Sequence, residues 1–149
     1  MTTRRSARSA NSRVALGSSY VSEAMHKGIF SCSADTPVDT VARLMSREHI
    51  HAVVVSGVAA ELDGDRQAWG IISDLDLLRA ALTGADVKAG QIAAMEFLTV
   101  DATETLTRAA QMMAEYEVTH LIVTDPRTEH AVGVLSTHDV AGVIGAVAQ

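Results

Sequence analysis

The sequence contains few cysteines and few aromatic residues. Cys32 is the only cysteine among 149 residues, which excludes an internal disulfide and a cysteine-based zinc cluster. Only 3% of the residues are aromatic although 48% are hydrophobic, so the core has to be built from aliphatic side chains and methionine. No window approaches the roughly 18 apolar residues of a membrane-spanning helix, and no apolar segment follows the basic N-terminus. These absences predict a cytoplasmic protein that has no membrane association.

Basic residues are scarce after the first 19 positions. Four arginines lie in that stretch without a single acid, which leaves eight basic residues to face all 18 acidic ones. Such a body repels a polyanion, so extended nucleic-acid binding is not expected. A single phosphate is not excluded, because backbone N–H groups at a helix N-terminus can bind it without net positive charge. The Ser- and Arg-rich residues 1–19 predict a flexible basic tail.

The rest of the chain is one structural pattern that occurs twice. Gly70–Asp76 and Gly133–Asp139 both consist of Gly, two aliphatic residues, Ser, two variable residues and Asp. Upstream of each, apolar residues at helical spacing precede a β-branched run, which predicts a helix followed by a buried strand. A polar turn is predicted between strands at residues 57–67. Each copy is therefore expected to have the element order βαββα.

The duplication also predicts the architecture. Neither copy can cover both faces of its own three-stranded sheet, so the two should share one core. We expect an α/β (α+β) fold in which residues 20–88 and 89–149 pack sheet to sheet with pseudo-twofold symmetry. Paired sites should then lie between the copies.

The repeated Ser-x-x-Asp element has two interpretations. Ser73 with Asp76, and Ser136 with Asp139, can each form a capping box at a strand-to-helix junction, which is a purely structural role. The same exposed N–H groups and hydroxyl can instead face a phosphate, with the carboxylate accepting from ribose hydroxyls. Two copies at equivalent places favour the ligand-binding interpretation.

The order of these motifs resembles the tandem CBS (cystathionine β-synthase-type) domain over nearly all of residues 21–145. The resemblance implies a regulatory module without catalytic residues, whose two clefts bind an adenosine-type nucleotide such as AMP, ADP, ATP, NAD or S-adenosylmethionine. A regulatory module of this kind requires no resident cofactor or metal. It further implies a homodimer, which signals through its shape or through an unidentified effector protein. The motifs that carry the resemblance are Val21–Met25, Ser31–Val38 and Gly70–Asp76 in the first copy, and Met95, Leu98–Val100, Val118–Leu121 and Gly133–Asp139 in the second.

The resemblance also assigns candidate ligand-binding residues by position. The aspartates of the repeated Ser-x-x-Asp element would bind ribose, and its serines would bind phosphate. The residues at the start of the middle strand of each copy would flank the base. Site 1 would consist of Ser31, Ala52, Val53, Ser73 and Asp76. Site 2 would consist of Thr99, His120, Leu121, Ser136, Thr137, His138 and Asp139.

The two sites are expected to differ in charge. Asp74 lies beside the phosphate position of site 1 and repels an anion, whereas the corresponding residue of site 2 is Thr137. His138 can add a hydrogen-bond donor or a partial positive charge. We therefore expect site 2 to prefer a phosphorylated nucleotide and site 1 to be weaker or empty.

The sequence also permits other functions. The main alternative is a ligand-free scaffold with vestigial clefts, which serves dimerisation or partner docking. His49 and His51 are two positions apart and would share a strand face, but no third metal ligand can be named. No nucleophile motif and no pair of acid/base carboxylates stands out.

Overall fold

The computed structural model describes residues 2–56, 69–84 and 86–148. The turn predicted for residues 57–67 lies outside this description. The chain divides into two compact units. The first-copy unit is Ile29–Phe97, and the second-copy unit combines Met1–Gly28 with Leu98–Gln149.

Helices and strands alternate along the chain much as the repeat predicts. The elements of the first half are α1 (Thr2–Ser18), α2 (Val21–Ala24), β1 (His26–Lys27), β2 (Ser31–Ser33), α3 (Val38–Glu48), β3 (Ala52–Ser56), β4 (Trp69–Ser73) and α4 (Asp74–Thr83). Those of the second half are α5 (Ala89–Ile92), β5 (Thr99–Asp101), α6 (Leu106–Tyr116), β6 (His120–Thr124), β7 (Ala131–Ser136) and α7 (Thr137–Ala148). The order β2-α3-β3-β4-α4 recurs as β5-α6-β6-β7-α7, which confirms the predicted βαββα repeat.

The first-copy unit is built on a three-stranded sheet in the order β2-β3-β4. β2 runs parallel to β3, and β3 runs antiparallel to β4. Helix α3 forms because its apolar residues recur at helical spacing, and it buries Val41 and Met45 against Val53, Val55 and Ile72 of the sheet. Each of these side chains contributes about 1.5–3 kcal/mol when fully buried.

The second-copy unit repeats this plan and adds a strand. Its sheet has the order β1-β7-β6-β5, in which the short β1 pairs antiparallel with β7. Helix α6 buries Leu106, Ala109 and Met113, and the sheet contributes Leu121 and Leu135 to the same cluster. The second core is therefore as aliphatic as the first, as the composition requires.

The compact units do not coincide with the two sequence copies. The leading segment of the first copy, α2 with β1, belongs to the second-copy unit, and α5 belongs to the first-copy unit. Short backbone hydrogen bonds attach each leading segment to its unit. Val21 N–H donates to Glu104 O at 2.9 Å, and Ala89 N–H donates to Thr36 O at 2.7 Å. The two copies thus exchange their leading segments, which the comparison of the copies had not predicted.

Residues 2–18 differ from the flexible tail expected from their composition, because they form helix α1. The helix packs on α6 and α7, and Leu16 joins the apolar cluster of the unit. The prediction of a flexible tail depended on the composition of this segment alone. In the folded chain, its contacts with two other helices offset the entropy that is lost when the segment becomes ordered.

Candidate functional site

The Ser-x-x-Asp element of the first copy lies at the junction between β4 and α4. Ser73 ends the strand and caps the helix. Its backbone N–H donates to Asp76 Oδ2 at 2.8 Å, its hydroxyl donates to the same oxygen at 3.0 Å, and Asp76 N–H donates to Ser73 Oγ at 3.4 Å. The capping box predicted from the sequence is therefore present, and it fixes both side chains.

The second copy builds the same junction between β7 and α7. Ser136 N–H donates to Asp139 Oδ2 at 2.9 Å, and Asp139 N–H donates to Ser136 Oγ at 3.1 Å. Thr137 and His138, at the start of α7, are exposed, while Ser136 and Asp139 are half-buried. The polar groups of this junction can therefore be reached from solvent.

Sheet register brings further candidate residues beside the two junctions. Ala52 pairs with Ser73 across β3 and β4, and His120 pairs with Ser136 across β6 and β7. Ser31 and Thr99 are the exposed first residues of the neighbouring parallel strands β2 and β5. In each unit, the candidate residues thus come from three adjacent strands and the helix that follows them.

Val53 and Leu121 take a different position from the other candidates. Both side chains are fully buried in the apolar clusters of their units. They follow Ala52 and His120 in the strands, so their side chains point to the opposite face of the sheet. Any contact they make with a ligand has to come from their backbone atoms.

The charge of Asp74 has a partner that the sequence had not indicated. His51 Nδ1 lies 3.1 Å from Asp74 Oδ2, and both side chains are 59% exposed. The backbone supports this contact, since Asp74 N–H donates to His51 O at 3.1 Å. At the equivalent place of the second copy, Thr137 N–H donates to Thr119 O at 2.9 Å. The two junctions therefore share their backbone geometry and differ in charge.

His49 and His51 do not share a strand face, so that prediction is wrong. His49 ends helix α3 in the left-handed conformation, with a φ of 54°, and His51 precedes β3. Among the residues with described positions, no group of three or more His, Cys, Asp or Glu side chains could hold a metal ion.

Cys32 lies in β2 beside Ser31 and is half-buried. Burial raises the pKa of its thiol above the ordinary value of 9.0, and a hydrogen bond with Thr36 acts in the opposite direction. The thiol is therefore largely protonated near neutral pH and is a poor nucleophile.

None of the helices in the described ranges is long and apolar enough to cross a membrane.

Comparison with known proteins identifies the class to which this fold and its duplicated junctions belong. The family profile described as CBS domain matches twice, at residues 21–83 and 89–146. The chain therefore belongs to the CBS domain family, and it carries two copies of the domain in tandem. No curated protein matches the sequence.

Several solved structures share the fold, and one of them is a CBS domain pair. The CBS domain pair of protein MJ0100, in complex with 5′-methylthioadenosine and S-adenosyl-L-methionine, is 16% identical with a TM-score of 0.71, covering 86% of this chain and 97% of that one. Hypoxic Response Protein I with two coordinated zinc ions is 23% identical with a TM-score of 0.63, covering 83% and 98%. An uncharacterized conserved protein from Pyrococcus horikoshii is 19% identical with a TM-score of 0.69, covering 85% and 92%.

Proposed function

We propose that this chain is a regulatory CBS pair that binds an adenosine-type nucleotide and has no catalytic activity. The observation that carries the proposal is the duplicated junction in which a capped helix presents a serine and an aspartate side by side. The MJ0100 domain pair is in complex with two ligands that both contain adenosine, which supports the same ligand class for this chain.

The capping bonds leave part of each aspartate available to a ligand. The hydrogen bonds that Asp76 and Asp139 accept from the described residues all go to Oδ2. Oδ1 of each carboxylate remains as an acceptor, and a ribose offers two neighbouring hydroxyl donors. The structural and ligand-binding roles of Ser-x-x-Asp are thus compatible, because each uses a different oxygen.

The serine hydroxyls favour site 2 for a phosphorylated ligand. A serine hydroxyl has one proton, and Ser73 donates it to Asp76 Oδ2. Ser136 accepts from Asp139 N–H, and within the described residues its hydroxyl donates no hydrogen bond. Ser136 can therefore donate to a phosphate oxygen without breaking a bond that is already made.

The helix N-termini differ in the same direction. A helix N-terminus carries a partial positive charge that attracts anions. The first turn of α4 contains Asp74 and Asp76, whereas that of α7 contains Asp139 alone. The additional carboxylate weakens the attraction at site 1, so we propose that site 2, formed with Thr99, His120, Thr137 and His138, is the preferred nucleotide site.

Occupancy has to be converted into a signal by a second component. A ligand shifts an equilibrium only by its different affinity for two states. We propose that these states are two arrangements of a homodimer, or the free and bound forms of an effector protein.

Thermal unfolding with added AMP, ADP, ATP, NAD or S-adenosylmethionine tests the proposal. A ligand at about 100 times its dissociation constant stabilises the folded protein by roughly 2.7 kcal/mol, which raises Tm by about 5–10 °C for a chain of this size. No shift with any of the five ligands would overturn the proposal and would leave the scaffold alternative.

Two matched substitutions then test the ranking of the sites by calorimetric titration. Asp139→Asn keeps an oxygen for the helix cap but removes the second acceptor for ribose, and Asp76→Asn makes the same change in site 1. We expect Asp139→Asn to weaken nucleotide binding at least tenfold and Asp76→Asn to have a smaller effect. The opposite order would show that site 1 is the nucleotide site.

A further inference from the structure

The first-copy unit contains a cavity that the duplicated junction does not explain. The cavity has a volume of about 330 Å³ and is lined by helix α4 together with residues of the segment 87–92. This volume lies at the lower end of the range for small-molecule sites, which is about 300–1,000 Å³. The lining residues are Asp76, Arg79, Ala80, Thr83, Val87 and Ile92.

Two opposite charges reach this cavity from one face of α4. Asp76 and Arg79 are three positions apart, a spacing at which an acid and a base commonly pair on a helix. Here Asp76 Oδ2 instead accepts from the backbone N–H and the hydroxyl of Ser73. Among the residues that the structure describes, Asp76 and Arg79 form no ion pair with each other. Both charges are therefore available to a ligand in the same cavity.

The rest of the lining combines one hydroxyl group with aliphatic side chains. Thr83 donates its hydroxyl proton to Ala80 O at 2.7 Å, so its oxygen can only accept a hydrogen bond from a ligand. Ala80 is buried, and Val87 and Ile92 are half-buried. Val38 N–H donates to Val87 O at 3.1 Å. The backbone thus holds the apolar wall opposite α4 in place, as is usual for a preformed site.

The second copy lacks the cation and the hydroxyl of this cavity, although it repeats the junction. Counted from the aspartate of each junction, Gly142 of α7 takes the place of Arg79. In the same way, Ala146 takes the place of Thr83. The polar groups that distinguish the cavity therefore do not belong to the repeated Ser-x-x-Asp element, and they indicate a separate site in the first copy.

We propose that this cavity binds a zwitterionic amino acid with an aliphatic side chain. The guanidinium of Arg79 can hold the carboxylate through two parallel hydrogen bonds. Asp76 Oδ1 and Thr83 Oγ1 can accept from the ammonium group. An α-amino acid separates its two charged groups by a single carbon atom, and residues 76 and 79 are about 4.5 Å apart along the helix axis. The aliphatic side chain then contacts the apolar wall.

The pairing of charges makes the site selective. A ligand with only an anionic group would leave the Asp76 carboxylate without a partner, and a ligand with only a cationic group would leave Arg79 without one. Removing a charged group from water without a partner is costly. A ligand that carries both charges is therefore favoured over one that carries either alone.

This ligand class goes beyond the nucleotide proposed above. Asp76 is also the aspartate of site 1, so an amino acid in the cavity and a ribose at site 1 would compete for the same oxygen. Site 2 contributes no residue to the cavity. Amino-acid binding can therefore occur whether or not the chain binds a nucleotide, and the two proposals can fail separately.

The first test is thermal unfolding of the full-length chain with L-leucine, L-isoleucine, L-valine or L-methionine, followed by calorimetric titration. We expect at least one of the four to raise Tm and to bind in the titration. The best of them is then compared with its amide, which lacks the carboxylate, and with its deaminated acid, which lacks the ammonium group. Each analogue should bind at least about tenfold more weakly, since each loses a charged hydrogen-bonding group. No binding of the four amino acids, or equal affinity of either analogue, would refute the proposal.

Arg79→Gln tests the role of the arginine. It should weaken binding of the amino acid at least about tenfold and leave the affinity for the amide nearly unchanged, because the amide has no carboxylate for Arg79 to bind. Arg43→Gln is the matched control, because Arg43 is exposed on α3 of the same unit and does not line the cavity. It should bind the amino acid as the wild type does.

Circular dichroism should show that both variants are folded, as expected for exposed positions. The comparison of ligands needs only the wild type, so it stays decisive even if a variant is unstable. Equal losses of affinity in Arg79→Gln and Arg43→Gln, or equal losses for the amino acid and its amide in Arg79→Gln, would contradict the assignment of Arg79 as the carboxylate partner.

Discussion

The pairing of β1 with β7 depends on a glycine, and this dependence gives the sharpest stability prediction. Gly133 lies in β7 opposite Lys27. A Cβ added at Gly133 would lie 2.5 Å from His26 O and 2.8 Å from Met25 Sδ. The methionine can move, but the carbonyl oxygen belongs to the backbone of the neighbouring strand, so β1 itself has to shift.

Gly133→Ala should therefore destabilise the protein by about 1–3 kcal/mol, the usual cost of overpacking a tight site. For a chain of this size, a loss of about 2 kcal/mol lowers Tm by roughly 4–8 °C. The measurement is urea or thermal unfolding followed by circular dichroism. Because β1 belongs to the exchanged leading segment, the variant should also accelerate hydrogen exchange at Gly28, whose N–H donates to Val132 O at 3.0 Å.

Gly142→Ala is the matched control, because it makes the same chemical change with the opposite expected sign. Gly142 lies in α7, and an added Cβ would have no atom within 4 Å. Alanine should stabilise the helix by about 0.5–1 kcal/mol. If Gly133→Ala were as stable as the wild type, or if both variants lost stability equally, the close approach of β1 to β7 would not be the controlling feature.

Three further predictions concern charge and the ends of helices. Asp74→Asn should increase the affinity of site 1 for a phosphorylated nucleotide about fivefold in a titration, since an exposed carboxylate repels a nearby anion by about 1 kcal/mol. An unchanged affinity would show that Asp74 does not contribute to the difference between the two sites. His49 and Glu117 end α3 and α6 with φ of 54° and 53°, so replacing either with Gly should stabilise the protein by about 1 kcal/mol, whereas Ala114→Gly, at an exposed position inside α6, should destabilise it by a similar amount. The raised pKa of the Cys32 thiol means that its stabilising contribution is complete below pH 9 and is lost as the pH rises through the folded-state pKa. Above pH 9, the free energy of unfolding should therefore fall more steeply for the wild type than for Cys32→Ala. Iodoacetamide should also label the thiol of the native protein more slowly than that of the urea-unfolded protein.

Local sequence patterns determined the repeating elements and the capped junctions. Helical spacing located α3 and α6, β-branched runs located β3 and β6, and the Ser-x-x-Asp pattern located both capping boxes. These features depend on residues within one turn or one strand of each other, so their information is contained in a short stretch of sequence. The family membership followed from the same patterns, taken in order and found twice.

Contacts between distant residues decided the rest. Only the folded chain places α1 on α6 and α7, exchanges the leading segments of the two copies and brings His51 next to Asp74. It also shows that Val53 and Leu121 face the cores, because a one-residue difference in position sends a strand side chain to the opposite face of the sheet. The sequence by itself therefore determined that the chain contains two strand-to-helix junctions, each with a capping box. The tertiary structure decided which atoms of these junctions remain available to a ligand.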